Sequence, residues 1–157
     1  MGPDDPAVLR KALRLLAIQG RSEAQMRRRL SAVGDPAAVE KVMDKLRSLK
    51  YLDDAELART LAEKHLVRAL HGPCRTRLEM ERAGLPPDLV QSAIDATLEE
   101  HPAGELLARA VCKEARGLPE GVPDPRDRRR LFDRLARRGF DPEAIREAIE
   151  HFRRGEP

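Results

Sequence analysis

Apolar residues recur along this chain at intervals of three and four, with polar residues between them. An α-helix turns about 100° per residue, so that spacing gathers the apolar side chains on one face. Leu9, Ala12, Leu13 and Leu16 form one such stripe. Leu57, Ala58, Leu61, Ala62 and Leu66 form another, and Leu106, Leu107, Ala110, Val111 and Leu118 a third. Each stripe covers one face only, so each helix must bury it against neighbours. Alternation at period two, the mark of a half-buried strand, is absent. The fold class predicted is all-α.

Helix starts are written plainly into the sequence. Asp5-Pro6, Asp35-Pro36, Asp124-Pro125 and Asp141-Pro142 each pair a capping side chain with a proline at the first helical position. Ser22 with Gln25 reads as a capping box, and Asp53 with Glu56 opens a further helix. Gly72-Pro73, Pro86-Pro87 and His101-Pro102 supply the remaining starts. Proline costs no hydrogen bond at these places, because the first-turn N–H groups have no partner inside the helix. About nine helices follow.

These helices fall into three similar groups. Gly84-Leu85-Pro86-Pro87-Asp88-Leu89-Val90 parallels Gly139-Phe140-Asp141-Pro142-Glu143-Ala144-Ile145, and Ile94 and Ile149 follow at the same distance. Leu30, Gly34, Asp35, Pro36, Val39 and Met43 give a third version, one residue shorter after the glycine. A helix, a glycine in the left-handed conformation that ends it, and a new start thus recur. The reading is tandem three-helix repeats over residues 6–50, 51–100 and 101–154, with the longest break at Gly117–Pro123. Stacked units contact mainly their neighbours, so an elongated, curved array is expected. A single helical bundle with coincidental similarity is the alternative.

Composition narrows the function. The 157 residues carry 30 Lys and Arg against 27 Asp and Glu, a net charge of +3. The basic residues are mostly Arg, which contacts phosphate or carboxylate in a fork that Lys lacks. Cys74 and Cys112 have neither CxxC spacing nor a nearby His pair, so two buried, reduced thiols of a cytoplasmic protein are expected. No apolar run reaches the roughly 18 residues of a membrane span, and the opening Met-Gly-Pro-Asp-Asp-Pro does not resemble a signal peptide. The four histidines are scattered, and helix-end charge or exposure explains them. HExxH, GxxxxGK[ST] and GxSxG are absent. Asp53-Asp54 reads as cap and first-turn charge. No catalytic, metal or cofactor site is expected.

Binding chemistry is concentrated in arginines. Residues 124–138 hold seven Arg against three Asp. On a helix there, Leu131, Phe132, Leu135 and Arg128 share the inward side, while Arg126, Arg130, Arg134 and Arg137 point outward. The first unit repeats the theme: with Met26, Leu30 and Val33 inward, Arg21 and Arg28 face out, beside Arg29. Arg75 is the second unit's candidate, though Glu79 and Glu81 nearly cancel it and its neighbours. These arginines could meet phosphates or an acidic partner surface, or form an ordinary solvated face. Exposed aromatics for base stacking are few: Phe140 fits the core, Tyr51 fits a packing position between units, and Phe152 remains.

Arg21-Ser22-Glu23-Ala24-Gln25-Met26-Arg27-Arg28-Arg29-Leu30 is similar to the first-unit pattern of the RecX family. Leu49-Lys50-Tyr51-Leu52-Asp53-Asp54 with Leu57-Ala58 resembles its Gly-Tyr-Leu-Asp-Asp and later Phe-Ala. Lys50 replaces the glycine and Leu57 the phenylalanine. Gly72-Pro73-Cys74-Arg75 with Glu79-Met80 resembles Gly-Pro-x-Arg and its Glu-Leu, and Arg128-Arg129-Arg130-Leu131 with Arg137-Arg138-Gly139-Phe140 resembles the third unit. If the family's glycine turns left-handed, Lys50 bears roughly 1 kcal/mol or shifts the turn. The resemblance implies tandem three-helix modules that bind the RecA recombinase, and a cytoplasmic monomer is expected. The resemblance also implies binding in the groove of the RecA–single-stranded-DNA filament, with inhibition of ATP hydrolysis, strand exchange and co-protease activity. The residues alone also admit a nucleic-acid binder of low specificity or a helical scaffold.

Overall fold

The computed structural model describes residues 5–116, 118 and 124–154. The predicted break at Gly117–Pro123 lies outside them except for Leu118. Nine α-helices occupy the described residues, and no β-strand does. They are α1 (Pro6–Ile18), α2 (Glu23–Leu30), α3 (Pro36–Ser48), α4 (Asp54–Ala62), α5 (Pro73–Arg82), α6 (Pro87–Glu100), α7 (Ala103–Ala115), α8 (Pro125–Arg137) and α9 (Pro142–Arg154).

The caps do what their chemistry dictates. Asp35 Oδ1 accepts from the Ala38 N–H at 2.9 Å, and Asp53 Oδ1 from the Glu56 N–H at 2.9 Å. Asp141 Oδ1 accepts from two N–H groups, Glu143 at 2.9 Å and Ala144 at 3.0 Å. Each such cap stabilises its helix by about 1 kcal/mol. One element was not predicted. Beyond Ala62, α4 widens into a π-helical segment, Glu63–Arg68, which closes where the His71 N–H donates to the His65 carbonyl at 2.9 Å. Leu70 there takes a φ of 53°.

Helices pack chiefly within their own triplet: α1–α3, α4–α6 and α7–α9. Val8, Ala12, Leu15, Met26, Leu30, Val42, Met43 and Leu46 belong to a core of the first triplet. A second core runs without interruption from Ala58 to Ile149, through the second and third triplets. The face of α1 is rotated from the predicted one. Val8, Ala12 and Leu15 are buried, whereas Leu13 is 46 % exposed. A face at intervals of four and three from Val8 leaves Leu13 on the far side. Val33 is also exposed rather than inward, because α2 ends at Leu30.

The predicted glycine ends are correct in two of three cases. Gly84 and Gly139 have φ of 78° and 85°. Gly34 does not turn left-handed; one residue shorter, its turn needs glycine for a different reason. A Cβ there would lie 2.4 Å from Val8 Cγ2. Lys50 does carry the left-handed turn, at φ 56°, with the Tyr51 N–H returning to the Leu46 carbonyl at 2.9 Å. That reversal throws Tyr51 outward, 57 % exposed instead of packed between units.

Two joints connect the triplets, and they have the same design. In each, the end of a middle helix sits on the start of the preceding triplet's middle helix. At the first joint the Ser22 hydroxyl donates to the Ala83 carbonyl at 2.5 Å, beside Gly84. The Asp54 carboxylate accepts from the Glu23 N–H at 2.9 Å, so this first-turn acid of α4 also caps α2 across the joint. Burial pushes the Asp54 carboxyl above its ordinary range. At the second joint the Gly72 N–H donates to the Arg138 carbonyl at 2.7 Å. The Arg138 guanidinium answers with a bond to the Ala69 carbonyl at 2.8 Å. A Cβ at Gly72 would lie 2.2 Å from the Gly139 carbonyl oxygen.

Candidate interaction surface

The second joint also assembles charge. Gly139 lets the α8–α9 turn rest on the first turn of α5, which brings Arg137 beside Arg75 and Arg82. The Arg75 guanidinium donates to the Arg137 carbonyl at 3.2 Å. The three arginines border a groove of about 380 Å³ with Leu78 and Glu79. Glu79 lies 3.9 Å from Arg75 and 3.8 Å from Arg82. These are long, solvent-screened pairs, each worth under about 1 kcal/mol. Among the lining residues one carboxylate, Glu79, stands against three arginines, so the lining is net basic.

The other predicted arginines separate. Arg126 is exposed. Arg130 is 71 % exposed, with Asp127 at 3.5 Å. Arg134 leans back on α7, donating to the Glu114 carbonyl at 3.3 Å. Arg28 and Arg29 are exposed on α2, while Arg27 is held by Glu40 at 2.7 Å. That bond raises the Arg27 guanidinium further and lowers Glu40. Arg21 does not face out freely; it is half-buried, and among the described residues its Nε finds no partner. Arg75 is the second-unit arginine that its sequence context discounted, and the structure joins it to the third unit's Arg137.

Three features were missed by the sequence reading. Arg138, one of the seven arginines of residues 124–138 and given no role by its sequence position, is an internal anchor only 19 % exposed, reaching Glu114 at 2.6 Å. Only its spacing after a helix end, beside the glycine, hinted at that. Phe132 borders a second groove with Arg128, Arg129 and Arg146. The Arg146 guanidinium stands 5.5 Å from the Phe132 ring centroid, a cation–π arrangement. His65 and His71 are half-buried, with rings stacked 5.5 Å apart. Burial holds His71 down at about 4, helped by the cations Arg75 and Arg138. Helix-end exposure does not describe this pair.

The cysteines correct another expectation. Cys74 and Cys112 are both exposed. Cys74 follows Pro73 on the outer side of α5, and Cys112 lies one residue past the buried stripe that ends at Val111. Among the described residues, no helix is long and apolar enough to cross a membrane. Among them, too, no three His, Cys, Asp or Glu side chains converge as a metal site.

Known proteins resemble this chain along nearly all of its length. The family model described as "RecX, first three-helix domain" matches residues 9–46. A regulatory protein RecX of Chlorobaculum tepidum is 30% identical over 145 residues, covering 92% of this chain and 87% of the relative. One from Syntrophotalea carbinolica is 33% identical over 132 residues, covering 82% and 85%. One from Thermus thermophilus is 35% identical over 120 residues, covering 71% and 83%. The crystal structure of RecX from Lactobacillus salivarius superposes with a TM-score of 0.76 at 17% identity, covering 94% of this chain and 96% of that one. That likeness concerns the fold, whose helical triplets it shares. The matched segment holds all of α2 and most of α1 and α3, and with relatives at 30% identity or more covering most of both chains, the chain belongs to the RecX family of regulatory proteins.

Proposed function

We propose that this protein regulates the RecA recombinase, mainly as an inhibitor, by lying in the groove of the RecA–single-stranded-DNA filament. Three modules, residues 6–50, 51–100 and 101–154, form the ligand. The basic groove where Arg75, Arg82 and Arg137 converge is the observation that carries this reading, because cations from two triplets meet there against a single carboxylate. The chemistry is steric and electrostatic. Modules linked at fixed joints bind adjacent filament subunits at a high effective concentration, so modest contacts sum. Arg28, Arg29, Arg126 and Arg130 are exposed outside that groove.

One observation favours a second reading, a direct nucleic-acid binder of low specificity. The Phe132 groove puts an aromatic ring among three arginines, as single-strand binders do. Fluorescence anisotropy separates the two. The chain is titrated against labelled single-stranded DNA, alone and coated with RecA, across a salt series. The RecA reading expects tight binding to the coated strand and weak binding to the bare one. Equal affinities with a steep fall in salt reverse the order of the two readings. No binding to coated DNA rejects the first.

A further inference from the structure

The two ends of the chain carry complementary faces that the described residues leave uncovered. In the third triplet, the outer sides of α7 and α9 form an apolar groove of about 470 Å³. Leu107, Ala108, Val111, Ala144, Ala148 and Phe152 line it. Its openness follows from small residues. A Cβ on Gly104, at one end, would meet nothing within 4 Å. In the first triplet the corresponding positions are closed. Ala148 and Phe152 correspond to Val42 and Leu46 there, both fully buried, yet Phe152 is 39 % exposed. The carboxylates on the groove are Glu105 and Glu147, with no Lys or Arg among the lining residues. In an Arg-rich chain of net charge +3, that is a local exception.

The first triplet presents the opposite. Arg10, Leu13, Arg14, Ala17 and Ile18 follow one another at helical spacing on the outside of α1, and all are exposed. Leu13 is 46 % and Ile18 76 % exposed. Among the described residues, neither Arg10 nor Arg14 has an ion-pair partner. This face is an apolar ridge flanked by cations, the complement of an apolar floor flanked by carboxylates.

We propose that the α7–α9 groove of one copy receives the outer face of α1 from a second copy, joining chains head to tail. Such a contact is heterologous, so every added copy keeps one free α1 and one free groove. One helix in one groove makes a small interface, which places the association at roughly micromolar to millimolar concentration. It replaces the expected monomer by a concentration-dependent series, and it does not depend on the RecA reading.

Sedimentation equilibrium of the full chain over roughly 10 µM to 1 mM tests it. The wild type is expected to rise in average mass beyond one chain. Ile18→Glu blocks the ridge and Ala108→Arg blocks the groove. Both positions are exposed, so unchanged circular dichroism is expected and checks that the variants fold. Each variant alone should associate at least about tenfold more weakly, equivalent to about 1.4 kcal/mol. An equimolar mixture should recover association but stop at two chains, because one intact groove meets one intact ridge. A wild type that stays at one-chain mass overturns the proposal. So does a mixture no heavier than either variant alone, whatever other partner the groove then accepts.

Discussion

Gly72→Ala is the sharpest perturbation of the joint that builds the basic groove. The backbone at Gly72 has φ −73° and ψ 165°, which alanine adopts without strain. Any cost is therefore steric. The added Cβ would stand 2.2 Å from the Gly139 carbonyl oxygen, 2.3 Å from its carbon and 2.4 Å from the Phe140 nitrogen. These are backbone atoms, which cannot rotate away. Relief requires the two turns to part by about an ångström, since unstrained Cβ contacts lie near 3.4 Å. The 2.7 Å bond from the Gly72 N–H to Arg138 and the 2.8 Å bond from Arg138 to Ala69 then fail. Two lost hydrogen bonds, one of them to a charged group, amount to about 3 kcal/mol. Overpacking estimates of 1–3 kcal/mol agree, roughly. Urea denaturation reads this directly, with a fall in thermal midpoint of about 10 °C alongside it. Gly20→Ala is the control: its Cβ would meet only the flexible Leu57 Cδ1, at 3.4 Å. A Gly72→Ala loss below about 0.5 kcal/mol, or no greater than the control's, refutes the joint as described.

Lys50→Gly removes a left-handed strain and should stabilise the chain by up to about 1 kcal/mol in the same denaturation assay. Arg138→Met should cost about 2 kcal/mol, because Glu114 and the Ala69 carbonyl lose a charged donor together. Acidification should destabilise the protein between pH 6.5 and about 4. An unfolded imidazole takes up its proton near 6.5, whereas His71, facing Arg75, Arg138, His65 and Glu79, resists it until about 4. Stability is thus complete above this window and lost as pH falls through it. Thermal midpoints from pH 7.5 to 4 should show the slope, and His71→Leu should flatten it.

What the sequence made legible was local. Asp35, Asp53 and Asp141 act on N–H groups two or three residues away, so their role is readable from spacing alone. The repeat of Gly84 and Gly139 was equally visible, because a left-handed helix end leaves the same residue types around it. What escaped was anything settled between distant elements. Asp54 is first-turn charge for α4 as its position says, but its bond to the Glu23 N–H has no local signal. Arg138 carried no assigned role, and its carbonyl and guanidinium meet Gly72, Ala69 and Glu114. Leu13 fitted the predicted stripe, and only the packing of α1 on α3 chose Val8 and Leu15 instead. Arg75 appeared neutralised by Glu79 because Arg137, sixty-two residues later, cannot be placed beside it from spacing. The π-helical end of α4 has no sequence signature, although it presents the carbonyls that hold Arg138.

We propose that arginines from two triplets, brought together at the second joint, dock this chain on the RecA filament. RecA's single-stranded-DNA-dependent ATPase, titrated with the wild type and with a Arg82→Glu, Arg137→Glu double variant, measures it most directly. Both side chains lie on the groove rim, and Arg82 is 65 % exposed, so the variant should retain the wild-type thermal midpoint. The account predicts inhibition by the wild type below one chain per RecA subunit and at least tenfold weaker inhibition, roughly, by the variant. An ATPase rate unmoved by the wild type at any ratio, or suppressed equally by both proteins, contradicts it.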